Sequence, residues 1–79
     1  MSRKVTIYST PDCGYCRAAK HFLAENGVEY KEVDVSENED AAREIVRRTG
    51  QYGVPVIDVG GTLLIGFDRR RLAALLKAA

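Results

Sequence analysis

The chain has 79 residues, with 12 basic and 11 acidic side chains and a net charge of +1. That length bounds it to one domain, residues 1–79, which buries roughly 60–65% of its unfolded surface around one small core. The balanced charge gives no general reason to bind nucleic acid or an anionic membrane, and 46% hydrophobic with 29% charged residues is the composition of a folded chain.

Val5 to Ser9 reads as a short buried strand, and Thr10-Pro11-Asp12 as a turn. A helix-like run, Arg17 to Asn26, follows, and Tyr15, Ala18, Ala19, Phe22 and Leu23 recur at helical spacing. Gly27 sits where a helix stops. Glu29 to Val35 is a more polar strand whose Lys31, Glu32 and Asp34 suit a sheet edge.

Ser36 and Glu39 make a capping-box pattern. The second helix puts Ala41, Ala42, Ile45, Val46 and Thr49 on one face and ends at Gly50. Glu39/Arg43 and Glu44/Arg48 are paired on its wet side. Val54 to Val59 and Thr62 to Ile65 are strands joined by a Gly60-Gly61 hairpin turn. A last helix begins near Asp68 and buries Leu72, Leu75 and Leu76.

The order is β-α-β-α-β-β-α, an α/β chain. A helical crossover makes the first two strands parallel, and the hairpin makes the last two antiparallel. A four-stranded mixed sheet with helices on its faces follows. No apolar run approaches the ~18 residues of a membrane span. Arg3 and Lys4 lack the apolar stretch of a signal peptide behind them, so the expected location is the cytoplasm. A lasting structural disulfide is not expected there.

Cys13 and Cys16 are the only cysteines. Two residues separate them, and they lie where the first strand hands over to the first helix. A helix start offers unpaired N–H groups and partial positive charge, which stabilise a thiolate, the nucleophilic form. A thiol of pKa ~8.5 is only ~3% thiolate at pH 7, and lowering it to ~6 gives ~90%. Nucleophilicity falls with a slope of ~0.4–0.5, so attack gains only a few-fold, but the sulfur also becomes a better leaving group. Such a dithiol suits turnover better than one-way trapping. Asp12 opposes thiolate formation at its neighbour.

Inert packing of both thiols is the plainer alternative. A zinc site made by these two alone falls two ligands short, and His21 lies on the polar face of the same helix. No metal site is therefore expected. Arg69-Arg70-Arg71 opens the last helix against its dipole, either as a solvated face or as a reader of an acidic docking surface. Phe67 is equally a core residue or an exposed docking contact. Tyr52 is read as surface packing.

Three segments in register resemble the glutaredoxin family, with the thioredoxin fold, over essentially the whole chain. They are Cys13-Gly14-Tyr15-Cys16, Gly53-Val54-Pro55 where the family has Thr-Val-Pro with a cis proline, and Ile65-Gly66-Phe67-Asp68 where it has a Gly-rich glutathione contact. The resemblance implies a thiol–disulfide oxidoreductase in which Cys13 attacks and Cys16 resolves. Pro55 resembles the cis proline beside the dithiol, Val54 the residue whose backbone pairs with substrate, and Tyr15 the aromatic wall.

Thr10 stands where many glutaredoxins carry Lys or Arg. Gly66, Phe67 and Asp68 stand in a reduced form of the Gly-Gly-x-x-Asp glutathione signature. The single Gly-Phe pairing is similar to the glutaredoxin-like hydrogen donors of ribonucleotide reductase, which thioredoxin reductase reduces. No tightly bound cofactor is implied. Glutathione as co-substrate and thioredoxin reductase both stand as reductants, disulfide-containing proteins are the implied substrates, and a monomer is expected. The alternative is an iron–sulfur cluster bridged between two subunits with glutathione as co-ligand, since Gly14 replaces the motif proline.

Overall fold

The computed structural model describes residues 4–51 and 53–77. Arg3 and Tyr52 lie outside the described residues. Strand β1, Val5–Ser9, sits in the middle of the sheet and has little solvent on either face. Its Val5, Ile7 and Ser9 are buried and its Thr6 and Tyr8 half-buried. Sheet order is β2-β1-β3-β4, with β2 at Lys31–Asp34, β3 at Val56–Val59 and β4 at Thr62–Ile65. β1 and β2 run parallel, while β3 is antiparallel to both β1 and β4. The polar β2 is an edge strand, as its charged residues imply.

Helices α1 (Gly14–Glu25), α2 (Glu39–Thr49) and α3 (Arg69–Lys77) cover the two faces. Ala19 and Leu23 of α1 and Leu72 of α3 pack with Val5, Ile7, Ile57, Val59 and Leu64 of the sheet, so α1 and α3 share one face. Leu75 and Leu76 are only half-buried against that cluster. Val56 points to the opposite face, where Arg48 of α2 reaches Asp58 at 3.4 Å and Ile45 is buried. The result is the β-α-β-α-β-β-α order of the thioredoxin fold.

Several local expectations are corrected. Ser36 does not cap α2. Its N–H and hydroxyl both go to the Asp34 carboxylate, at 2.9 and 2.6 Å, and Asn38 caps instead by accepting the Ala41 N–H at 3.0 Å. The wet-side pairs of α2 form one residue closer, Asp40 with Arg43 and Glu44 with Arg47, which leaves Arg48 free to reach the sheet. β3 starts at Val56 rather than Val54, because Pro55 has no N–H to give the ladder. β2 is shorter than the 29–35 span at both ends. The Gly60-Gly61 turn is as expected, with φ of 58° and 100° between the paired Val59 and Thr62.

Candidate active site

Helix α1 begins at Gly14, with Cys13 as its N-cap. The Cys13 Sγ does what a capping oxygen does elsewhere and accepts the N–H of Cys16 at 3.1 Å. No acidic residue lies in the first turn to compete with it. Because Cys13 takes the cap, the helix turns Cys16 inward, and the buried stripe is Cys16, Ala19 and Leu23. Tyr15 and Ala18, expected on that stripe, are exposed instead, Tyr15 at 72%. Both cysteines are free thiols.

The two sulfurs occupy unlike surroundings. Cys13 is half-buried, while Cys16 has no exposed surface. Burial is the largest influence on the Cys16 thiol, and the hydrogen bond and charge of Cys13 add to it. A backbone hydrogen bond from Thr10 and the charge of Lys20 act against them, and the thiol is pushed up to about 11.

The Val54–Pro55 peptide is cis, as the family resemblance implies. It places the Val54 carbonyl oxygen 3.8 Å from the Cys13 Sγ, where the thiol donates a long hydrogen bond to it. Pro55 is buried, and its carbonyl accepts the Gly66 N–H at 2.8 Å. Gly66 has φ of 83°, a conformation that disfavours a side chain. That bond ties the Gly66-Phe67-Asp68 segment to the loop facing the dithiol. Cys13, Cys16, Val54, Pro55 and Gly66 thus form one connected group, and Thr10 joins it by accepting the Cys13 N–H at 3.4 Å.

Phe67 resolves to packing. Its ring meets Phe22 at 5.9 Å, tilted by 59°, against the main core. Asp68 caps α3, its Oδ1 accepting the Arg71 N–H at 3.1 Å. Arg69 places its guanidinium 5.4 Å from the centre of the Phe22 ring, while Arg70 and Arg71 are exposed. His21 lies on the wet face of α1, 3.3 Å from Glu25.

Sequence reading missed one cluster beside the thiols. The Glu32 carboxylate oxygen Oε2 accepts both the buried Ser9 hydroxyl, at 2.7 Å, and the Lys20 ammonium, at 2.8 Å. The available signal was Lys20 four residues beyond Cys16 on α1. On its own, Glu32 reads only as part of a charged sheet edge.

The glutaredoxin family model matches residues 5–64, from β1 through β4. The chain belongs to the glutaredoxin family. A glutaredoxin-like 8.6 kDa protein in a rubredoxin operon of Clostridium pasteurianum is 30% identical over 92% of this chain and 97% of its own length. Glutaredoxin 3 of Escherichia coli is 33% identical over 81% of this chain and 77% of its own. Among solved structures, the glutaredoxin-like NrdH-redoxin of Escherichia coli, described as having a thioredoxin-like activity profile, superposes with a TM-score of 0.80 at 28% identity. That match covers 91% of this chain and 93% of the redoxin. This glutaredoxin-family chain is therefore a thiol–disulfide oxidoreductase of thioredoxin fold. Among its described residues no helix is long and apolar enough to cross a membrane.

Proposed function

We propose that this chain reduces disulfides in cytoplasmic proteins through Cys13 and Cys16, acting as a monomer. The observation that supports this best is the placement of Cys13. It is a half-buried sulfur at a helix start, accepting a backbone N–H and facing the Val54 carbonyl across 3.8 Å. The Cys13 thiolate attacks one sulfur of the substrate disulfide, forming a mixed disulfide and expelling one substrate thiolate. The Val54 backbone and the Tyr15 ring border the arriving chain, in the manner of strand addition. Cys16, deprotonated, then attacks Cys13 Sγ. The second substrate thiolate leaves, and an external reductant returns two electrons to the Cys13–Cys16 disulfide.

We assign that reductant to thioredoxin reductase rather than glutathione. Thr10 offers no cation to a glutathione carboxylate. Asp68, the acid nearest the glutathione-signature segment, is already committed to the Arg71 N–H. A lost exposed ion pair is worth about 0.2–1 kcal/mol and a lost charged hydrogen bond about 1.5–3, together roughly ten- to a thousandfold in affinity. The NrdH-redoxin, with its thioredoxin-like activity profile, supports the same reading.

The test feeds the oxidised protein equal NADPH flux through thioredoxin reductase and, in parallel, through glutathione with glutathione reductase. Faster turnover with thioredoxin reductase is expected. Turnover with glutathione alone returns the chain to the ordinary glutaredoxins, and no disulfide reduction with either system removes the proposed reaction.

A further inference from the structure

Cys16 has a task that its surroundings oppose. To resolve a mixed disulfide it must lose its proton while sealed from water. Burial disfavours the thiolate, and a neutral thiol is a poor nucleophile. In the reduced protein Cys13 adds to the difficulty through its hydrogen bond and its charge. Once Cys13 is in a mixed disulfide its sulfur carries no charge, so that part falls away. What remains in favour of the thiolate is the Thr10 backbone hydrogen bond and the charge of Lys20.

Lys20 is placed for this. It lies one helical turn beyond Cys16 on α1, on the same side of the helix. Its ammonium does not swing freely in solvent, since it donates to Glu32 Oε2 at 2.8 Å. The same oxygen takes the Ser9 hydroxyl at 2.7 Å, and Ser9 is buried at the end of β1, next to Thr10. Three elements therefore converge on one carboxylate and hold one cation near the sealed thiol. The Lys20 side chain is only 27% exposed, so water screens its field incompletely.

We propose that Lys20, held by Glu32 and Ser9, is a positioning residue for resolution: its fixed ammonium stabilises the Cys16 thiolate that attacks Cys13 Sγ. The proposal rests on the reading of Cys16 as the resolving thiol. In the step, the Cys16 proton passes to solvent, the Cys16–Cys13 bond forms, and the substrate sulfur leaves as a thiolate. Lys20 keeps its proton throughout, because Glu32, and more weakly Tyr30 and Cys16, raise its pKa above the ordinary lysine value. Asp34 acts on Glu32 in the opposite direction, raising its pKa. Lys20 acts at Cys16 in the direction that favours the thiolate, while the Glu32 carboxylate, 2.8 Å from the ammonium, offsets part of its field.

The test is single-turnover reaction of the reduced protein with excess Ellman's reagent between pH 6 and pH 9.5. Attack by Cys13 releases one thionitrobenzoate, and resolution by Cys16 releases the second in a later phase. In Lys20→Met the pH profile of the second phase should move up by about one unit, at the low end for removal of a nearby opposite charge. Thiolate falls about tenfold at pH 7, and the greater nucleophilicity of the more basic sulfur returns about threefold, so resolution slows about threefold. Lys20→Arg keeps the charge and should restore the profile.

A Lys20→Met protein that resolves with the wild-type profile, or whose slowing Lys20→Arg fails to restore, overturns the proposal while leaving Cys16 as the resolving thiol. A second phase of wild-type rate in Cys16→Ser overturns the underlying reading instead. A thermal melt of Lys20→Met within a few degrees of wild type separates either result from misfolding.

Discussion

The amide of Cys16 donates to the sulfur of Cys13 at 3.1 Å, while the sulfur of Cys16 itself has no exposed surface. One helical turn thus carries an accessible sulfur and a sealed one. Brief iodoacetamide treatment at neutral pH should label Cys13 first, by access and because the Cys16 thiol is pushed up to about 11. Peptide mapping reads the order, and preferential labelling of Cys16 would reverse the roles. Cys13→Ser should abolish disulfide reduction. Cys16→Ser should accumulate mixed disulfides with substrate, visible as a mass increase that dithiothreitol removes.

The raised Cys16 thiol also makes stability depend on alkaline pH. Its folded value, about 11, lies above the ordinary 9.0, so between those limits the unfolded chain ionises and the folded one does not. The contribution is fully present below pH 9 and is lost as pH rises toward 11. Each unit is worth about 1.4 kcal/mol, which puts the full loss at about 3 kcal/mol. Urea unfolding of the reduced protein at pH 8 and pH 10.5 measures it. Cys16→Ala is the control for tyrosines and lysines that titrate in the same range. An equal alkaline loss in Cys16→Ala means that Cys16 is not its source.

Most of the fold was legible because periodicity, turn glycines and the polar edge strand agree with one another. Gly60 and Gly61 need positive φ at a hairpin, and Val5, Ile7 and Ile57 have no alternative to a core. The failures are competitions between neighbours. Ser36 and Asn38 are both good caps, and Asp34 decided between them by taking Ser36. Tyr15 and Cys16 both fit a helical stripe, and the cap formed by Cys13 decided which turned inward. At the site, the cysteines, Pro55 and Gly66 came from motifs. The Ser9–Glu32–Lys20 cluster depends on the β1–β2 register, which sets Glu32 beside Ile7, and local sequence does not supply that register.

Gly66 holds φ of 83° while its N–H reaches Pro55, so its conformation and its hydrogen bond are linked. A methyl group would meet no atom within 4 Å, so Gly66→Ala costs conformational strain rather than a clash. That strain is about 1–2 kcal/mol for an L residue in this region. Gly66→Ala should lower stability by that amount and slow turnover through the displaced loop. Unchanged stability by chemical denaturation would place no conformational demand on this position.

Glu32 and Lys20 form a pair whose two halves should differ in cost. Lys20→Met removes one partner of a partly exposed ion pair, worth about 0.2–1 kcal/mol. Glu32→Ala removes the same pair and also strands the buried Ser9 hydroxyl, an unpaired polar group that costs about 1–3 kcal/mol. Ser9→Ala placed on top of Glu32→Ala should recover most of the second part, because no orphan is then left. Hydrogen bonds from Lys20 and Ser9 hold the Glu32 carboxyl below the ordinary glutamate value. Its ionic contribution is therefore present above that value and lost as pH falls through the lower folded one, with the Ser9 contact persisting because a neutral carboxyl still accepts. Lys20 runs the other way: its raised value keeps the pair intact until pH climbs past the ordinary lysine range. Denaturation at pH 7 of the wild type and the three variants reads the difference. Equal costs for Lys20→Met and Glu32→Ala would mean that Ser9 finds another partner when Glu32 is gone.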